Sequence, residues 1–434
     1  MSGLSVQRQD KVLALSQREQ ENEEIFKPDR RAVGQVNTAV RAALSAVTQN
    51  RKRCPMKARH LFFAASSTFF AGLAFAVGPA AAYQAFSHDY KAWSLTCDNV
   101  RRCEAAAYGE EEGTNLLIVL QRDAGPDGAA TLQFATQQQP LSMNALRLDG
   151  HPLALDPQQW KVLALSESDA VYRYRLVTHD PAAIDAWLVA VRNGQTVSVG
   201  DPARKDPPQA SLAGLSASVL AIDATQGRLD TVTAWLRKGD KPAAAVPPAA
   251  PLPLTGKPMK GVAPLSEAEQ RTLVDATLAR FHPVVQGSTC VDSGDDDDAR
   301  AAQKSESAAY ALTSKEAVVA LGCSTGGAYN HTSLMYRVQR HPPYAAKPLD
   351  FGTQASAGLD SATVRNELTE TGYDPASGEL SSFVKARGLG DCGTLTTWIF
   401  DGERFQLSEI SEMGSCVGIS SDDWPRLYRS RQAE

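Results

Sequence analysis

Seven cysteines set the tightest constraint on how this chain can fold. Cys54 stands apart near the N-terminus, while Cys97, Cys103, Cys290, Cys323, Cys392 and Cys416 are spread over the remainder. Six is an even number, as a disulfide framework in an oxidising compartment requires. If the two halves of the chain do not share bridges, Cys97 pairs with Cys103. Sequential pairing then joins Cys290 to Cys323 and Cys392 to Cys416, with the other pairings of those four left open. No C-x-x-C spacing offers a zinc or redox site, so neither a metal nor a cofactor is expected.

An export signal explains why Cys54 is separate. Met56-Lys57-Ala58-Arg59 is a short basic start, Leu61 to Val77 is apolar, and Gly78-Pro79 breaks the run. Ala80-Ala81-Ala82 then supplies the small residues that a signal peptidase reads. The segment 56–82 is therefore expected to be a signal peptide, cleaved after Ala82. Its apolar run is interrupted by Ser66-Ser67-Thr68 and is short of the roughly 20 residues a membrane span needs. Residues 1–55 are polar and charged, and are expected to be a non-native or disordered extension, with translation starting at Met56. The expected location is the bacterial periplasm, with no stable transmembrane span after cleavage. Residues 83–434 carry 32 basic and 43 acidic side chains, a net charge of −11. That balance argues against nucleic acid, whose phosphates reward Lys and Arg patches.

Residues 238–263 hold six prolines and little that could pack, which reads as a Pro/Ala linker. It would separate a β-rich domain with C-terminal helices (86–237) from a second β-rich α+β domain (264–431). The first shows strand-like runs at 90–96, 116–120, 131–136, 160–165, 171–176 and 196–199. Asp180 can cap a helix with Pro181 at its first position, and Gly194 stops it. Further helices are expected at 215–226, before Gly227, and at 230–236. In the second domain Ser266-x-x-Glu269 forms a capping box for a helix that Pro283 ends. Strands follow at 316–321, 333–338, 363–368, 380–385, 394–400 and 404–410, with Asp401-Gly402 as a hairpin turn. The fold class is α+β: two mostly antiparallel, disulfide-stapled domains with a few short helices.

Catalytic patterns fail on order or spacing. Gly322-Cys323-Ser324-Thr325-Gly326 matches G-x-S-x-G, but glycine follows where a hydrolase needs a helix, and no Asp or Glu lies between Ser324 and the last histidine, His341. Asp292 and Asp295 to Asp298 form an acidic run without calcium-loop spacing, read as a solvated loop. His88, His151, His179, His282, His331 and His341 show no metal-ligand spacing. Trp93, Trp160, Trp187, Trp235, Trp398 and Trp424 could line a sugar-binding face, although core positions suit tryptophan better.

Several segments resemble known exported proteins. Trp93-Ser94-Leu95-Thr96-Cys97-Asp98 with Cys103, and Ser211 to Ala217, resemble proteins related to invasion-associated locus B. The span from about Phe86 to Arg431 resembles the bacterial domain-of-unknown-function 1176 family (DUF1176). The resemblance rests on Ile222-Asp223-Ala224-Thr225-Gln226-Gly227-Arg228, Gly327-Ala328-Tyr329-Asn330, Gly390-Asp391-Cys392-Gly393, Trp398 with Asp401-Gly402 and Phe405-x-Leu407, and Trp424-Pro425-x-Leu427-Tyr428-Arg429. It implies export and paired cysteines, and supplies no catalytic residue. The expected function is a non-enzymatic binding or envelope-associated module whose partner is an envelope component or a periplasmic protein. The alternative is a periplasmic hydrolase of glycan, peptide or lipid.

Overall fold

The structure, a computed structural model, describes residues 83–433 except 109–115, 138–140, 167–171, 201–205, 287–289, 291–300, 302, 324–326 and 352–364, with the backbone alone for 282–286. The extension 1–55, the signal segment 56–82, Ser324 and the Asp292–Asp298 run lie outside the described residues. Among the described residues no helix is long and apolar enough to cross a membrane.

The described residues open with five antiparallel strands: β1 (Phe86–Tyr90), β2 (Trp93–Cys97), β3 (Cys103–Ala107), β4 (Leu117–Arg122) and β5 (Ala130–Thr136). The strand expected over 90–96 is interrupted, because Lys91 takes a left-handed conformation and folds β1 back on β2. Two short strands, β6 (Leu146–Leu148) and β7 (His151–Pro152), precede the hairpin β8 (Lys161–Ala164) and β9 (Tyr174–Thr178). The first sheet has the order β1-β2-β3-β4-β5-β9-β8. A second, smaller sheet joins β6 and β7 to β10 (Thr196–Val199) and β11 (Gln209–Ser211).

Helices α1 (Pro181–Ala190) and α2 (Leu215–Thr225) complete this half. Asp180 accepts a hydrogen bond from the Ala182 amide, as its cap position anticipates. α1 buries Ile184, Trp187 and Leu188 in a core shared with Trp93, Leu95 and Phe134. α2 ends before Gly227, which takes a positive φ of 69°. The helix expected over 230–236 does not form. The buried Asp223 carboxylate accepts hydrogen bonds from the Trp235 and Leu236 amides, and those residues run as turns. Nearby, fully buried Arg228 donates to the Asp123 and Gly125 carbonyls and to Gln226. The Ile222–Arg228 segment is thus a buried polar bracket that ties α2 to the turn after β4.

The Pro-rich segment 238–263 contributes β12 (Leu254–Thr255), buries Val246, and donates the Met259 amide to the Phe400 carbonyl. Helix α3 (Glu267–Gln286) follows. The Ser266 hydroxyl accepts from the Glu269 amide, but the Glu269 carboxylate turns to Arg340 instead of closing the capping box. The helix also passes through Pro283, where the sequence suggests a stop; one missing N–H interrupts a single backbone bond and three further residues stay helical.

A third sheet contains β13 (Ala308–Ala311), β14 (Glu316–Gly322), β15 (Thr332–Gln339), β16 (Ala346–Pro348) and β17 (Glu367–Thr369). A fourth runs in order through β18 (Gly372–Asp374), β19 (Glu379–Lys385), β20 (Gly393–Phe400), β21 (Phe405–Met413) and β22 (Arg426–Arg429). The final strand, β23 (Arg431–Gln432), pairs in parallel with β12. α3 packs on one face of the third sheet through Leu273 and Val274, and the opposite face meets Trp398, Phe400 and Leu380 of the fourth. The fold is therefore mostly antiparallel β with few helices. Asp401 caps its turn by accepting from the Glu403 and Arg404 amides, and Gly402 has a φ of 98°.

Three disulfides join Cys97 to Cys103, Cys290 to Cys323, and Cys392 to Cys416. The first closes the β2–β3 loop, which carries a buried charge. Asp98 is 1% exposed and accepts from the Val100 and Arg102 amides and from Arg429 Nε on β22. Asn99 adds hydrogen bonds to the Arg429 backbone in both directions. Removing one partner of such a pair strands the other charge in low dielectric. Arg429→Ala is therefore expected to cost about 3 kcal/mol, read as a lower urea midpoint. An unchanged midpoint would show that Asp98 needs no countercharge.

Candidate functional site

The first sheet has two dissimilar faces because its strands alternate. Cys103, Ala105 and Ala107 of β3 point into the core, so Glu104 and Ala106 point the other way. The ladder aligns Ser87, Thr96, Glu104, Gln121 and Thr131 in one row across five strands. Asp89, Ser94, Ala106, Val119 and Gln133 form the next. Two neighbouring pairs of the first row are hydrogen-bonded, and Arg102 joins the second pair. Ser87 and Thr96 hydroxyls lie 3.2 Å apart, Gln121 Nε2 donates to Glu104 at 2.5 Å, and Arg102 donates to Gln121 Oε1 at 2.7 Å.

Part of this polar face is covered by the segment between β21 and β22. Ala106, Leu117, Val119, Ala135 and Tyr172 pack against Cys392, Met413, Ile419 and Trp424. Trp424 is 1% exposed, with its indole N–H on the Ile419 carbonyl and its ring 5.5 Å from Phe383. Arg175 on β9 donates twice to Asp423, at 2.8 Å each. The Cys392–Cys416 bridge and Asp391, which accepts from the Gly418 amide and from Arg387, hold the covering segment to the fourth sheet.

A cleft lies on each side of the apolar contact. One, of about 210 Å³, is lined by Glu104, Gln121, Thr131, Gln133, Arg175 and Asp422. The other, of about 400 Å³, is lined by His88, Asp89, Ser94, Tyr108 and Glu412. Burial pushes the Glu104 carboxyl up, and the neighbouring Asp423 charge adds to the rise, although the Gln121 hydrogen bond and Arg102 oppose it. Burial likewise raises Glu412, and raises Tyr108 well above a phenol's ordinary value. Among the described residues Gln133 and Asp422 commit their side chains to no hydrogen bond, so both are available to a ligand. Amides, a hydroxyl and carboxylates in this arrangement suit polar recognition by hydrogen bonding.

The residues singled out in the sequence are placed elsewhere. All six tryptophans are buried, so neither Trp398 nor Trp424 presents a flat aromatic face. His179 Nδ1 lies 2.9 Å from the Thr131 hydroxyl, and His331 lies 3.5 Å from Glu306. Asp391, Cys392 and Cys416 have metal-compatible spacing, but both sulfurs are in a disulfide and offer no thiolate. Asn330, in the Gly327–Asn330 segment, exchanges hydrogen bonds with the Lys385 backbone and braces the end of β19. The cleft residues carry no motif. Their signal in the sequence is strand alternation: polar Glu104 between cysteine and alanine, Gln121 at the end of an apolar run and Gln133 between Leu132 and Phe134.

Glu104 makes the stability of the fold depend on pH. Its folded-state pKa lies above the ordinary 4.5, so folding favours the neutral carboxyl. Its contribution is fully present below about pH 4.5 and is lost as pH rises through the raised folded value. Urea unfolding of wild type and Glu104→Gln should show the wild type losing stability relative to the variant as pH rises above 4.5. A constant difference across that range would contradict the assignment.

Comparison with known proteins gives a consistent result. The family model described as a protein of unknown function (DUF1176) matches residues 87–431, a span that includes both clefts. The uncharacterised protein YpfG of Escherichia coli (strain K12) is 32% identical over 363 residues, covering 82% of this chain and 95% of that protein. No solved structure matches the chain. This chain belongs to the DUF1176 family of proteins of unknown function.

Proposed function

We propose that the protein is exported to the periplasm and acts there as a non-enzymatic binding module for a polar component of the envelope. The observation that carries the binding reading is the 210 Å³ cleft, where the side chains of Gln121, Thr131 and Gln133 stand in cross-strand neighbourhood under the covering segment. Hydrogen-bonding groups on a rigid sheet, closed by a disulfide-held segment, are suited to a glycan or an extended peptide. Export is supported by the basic, apolar and small-residue blocks of 56–82 and by three disulfides in the part that follows. We also read the first half as related to invasion-associated locus B proteins, on Trp93 to Asp98 with Cys103 and on Ser211 to Ala217.

Two measurements test this reading. Mass spectrometry of the native protein should find a mature N-terminus at Tyr83; peptides from residues 6–48 would refute the processing scheme. In pull-down from periplasm, partners held by the wild type should be lost with Thr131→Arg, whose longer side chain fills the cleft. Capture that is indifferent to this change would remove the cleft from the function.

One observation favours a hydrolase as the second reading: burial raises Glu104, and Asp423, which contributes to that rise, accepts two hydrogen bonds from Arg175. Such a division suits a general acid beside an anion. Glu104→Gln tests the second reading through turnover, which a hydrolase would show in the wild type and lose in the variant and which a binding module would show in neither.

A further inference from the structure

A separate cavity, at the turn end of the β20–β21 hairpin, has different chemistry. It measures about 610 Å³ and lies between the β15–β16 pair and the β20–β21 turn. Four cations line it: Arg337, Lys347, Arg365 and Arg404. Arg337 and Lys347 are direct cross-strand partners on β15 and β16. Like charges in that position destabilise a sheet unless something anionic lies between them.

Among the described residues, ion pairs to the nearby carboxylates reach only two of these four cations, Arg337 and Arg365. Glu316 is committed to Arg337 and Gln339, and Asp350 to Arg365 at 2.8 Å. Asp401 holds its own turn together by accepting from the Glu403 and Arg404 amides and from Gln406, and the Arg404 charge acts on it without a direct ion pair. Among the described residues Lys347 and Arg404 form no ion pair, and Glu403, the other acid of the lining, is exposed. Arg337 donates one terminal nitrogen to Glu316 and the other to the Glu403 carbonyl, yet its Nε is buried without a hydrogen-bond partner. A buried donor left unmade is costly, and this one belongs to a lining side chain. On a chain whose residues 83–434 sum to −11, the concentration of cations here is out of keeping with the rest.

The remaining lining is apolar. Pro348, Leu349, Phe351 and Phe405 contribute, and the Phe351 and Phe405 rings lie 5.8 Å apart. Solvated surface cations would explain Lys347 and Arg404 singly. They do not explain an opposed cationic pair, a buried unpartnered guanidinium N–H and an aromatic wall around one cavity of ligand size. We propose that this cavity binds an amphiphilic organic anion, with a phosphate or carboxylate held by Arg337, Lys347 and Arg404 and an apolar body against Phe351 and Phe405.

Calorimetry with 1-naphthyl phosphate on the disulfide-bonded protein tests the site. One saturable site is expected, weakened roughly ten-fold or more in Lys347→Glu/Arg404→Glu. Both side chains are exposed, so the variant should keep the wild-type near-ultraviolet spectrum and urea midpoint, which checks that it folds. Inorganic phosphate in large excess should fail to displace the probe. Absence of saturable binding, equal affinity in the folded double variant, or full displacement by inorganic phosphate would each overturn the proposal. Vesicles containing phosphatidylglycerol, set against phosphatidylcholine vesicles, separate the sources. Retention by the first alone assigns a lipid headgroup, and retention by neither, with naphthyl phosphate bound, assigns a soluble anion.

Discussion

The buried carboxylate of Asp98 is the constraint on which the arrangement of the two halves turns. A charge that is 1% exposed must be met by donors, and three converge on it: two amides of its own loop and Arg429 from the last long strand. The Cys97–Cys103 bridge fixes the loop at its base, so the carboxylate can present itself to a residue some 330 positions away. β22 is thereby held against the first sheet. The segment just before β22 is the one that covers the sheet's polar face, so the clefts follow from this contact.

The same sheet shows how one pattern serves two purposes. Its inner face is filled by Trp93, Leu95, Phe134 and alanines that let the helices approach. Its outer face could have been left to water, as in many antiparallel sheets. Here an apolar patch of Val119, Leu117 and Ala135 docks Trp424 and Met413, and the polar rows on either side are left lining narrow clefts. Confinement beside that patch is what raises Glu104 and Glu412: loss of water outweighs the Gln121 hydrogen bond and the neighbouring guanidiniums at Glu104, and acts by itself at Glu412.

Local chemistry was legible where one residue decides the conformation. Asp180 with Pro181 starts α1, Gly227 follows α2, and Asp401-Gly402 turns the β20–β21 hairpin. Readings failed where a distant group competes for the backbone. Residues 230–236 have helical spacing, but Asp223 takes the amides of Trp235 and Leu236. Glu269 sits where a capping box needs it, but Arg340, on a neighbouring strand end, offers a stronger partner. Lys91 gave no sign of a reversal inside an apparently continuous strand. The clefts were illegible for a related reason: Glu104, Gln133 and Asp423 are ordinary polar residues until register and docking bring them together.

By itself the sequence determined the class of fold, mostly antiparallel β with few helices, because side-chain alternation and turn residues act over a few positions. It also determined that six cysteines follow the export-like segment, in an even number that can all pair. Only the tertiary structure decided what the halves do to each other. The pairing of Asp98 with Arg429, the cover over the first sheet and the cationic cavity at the β20–β21 turn all join residues far apart in the chain. Contacts of that kind depend on the summed geometry of many strands, and no local pattern encodes them.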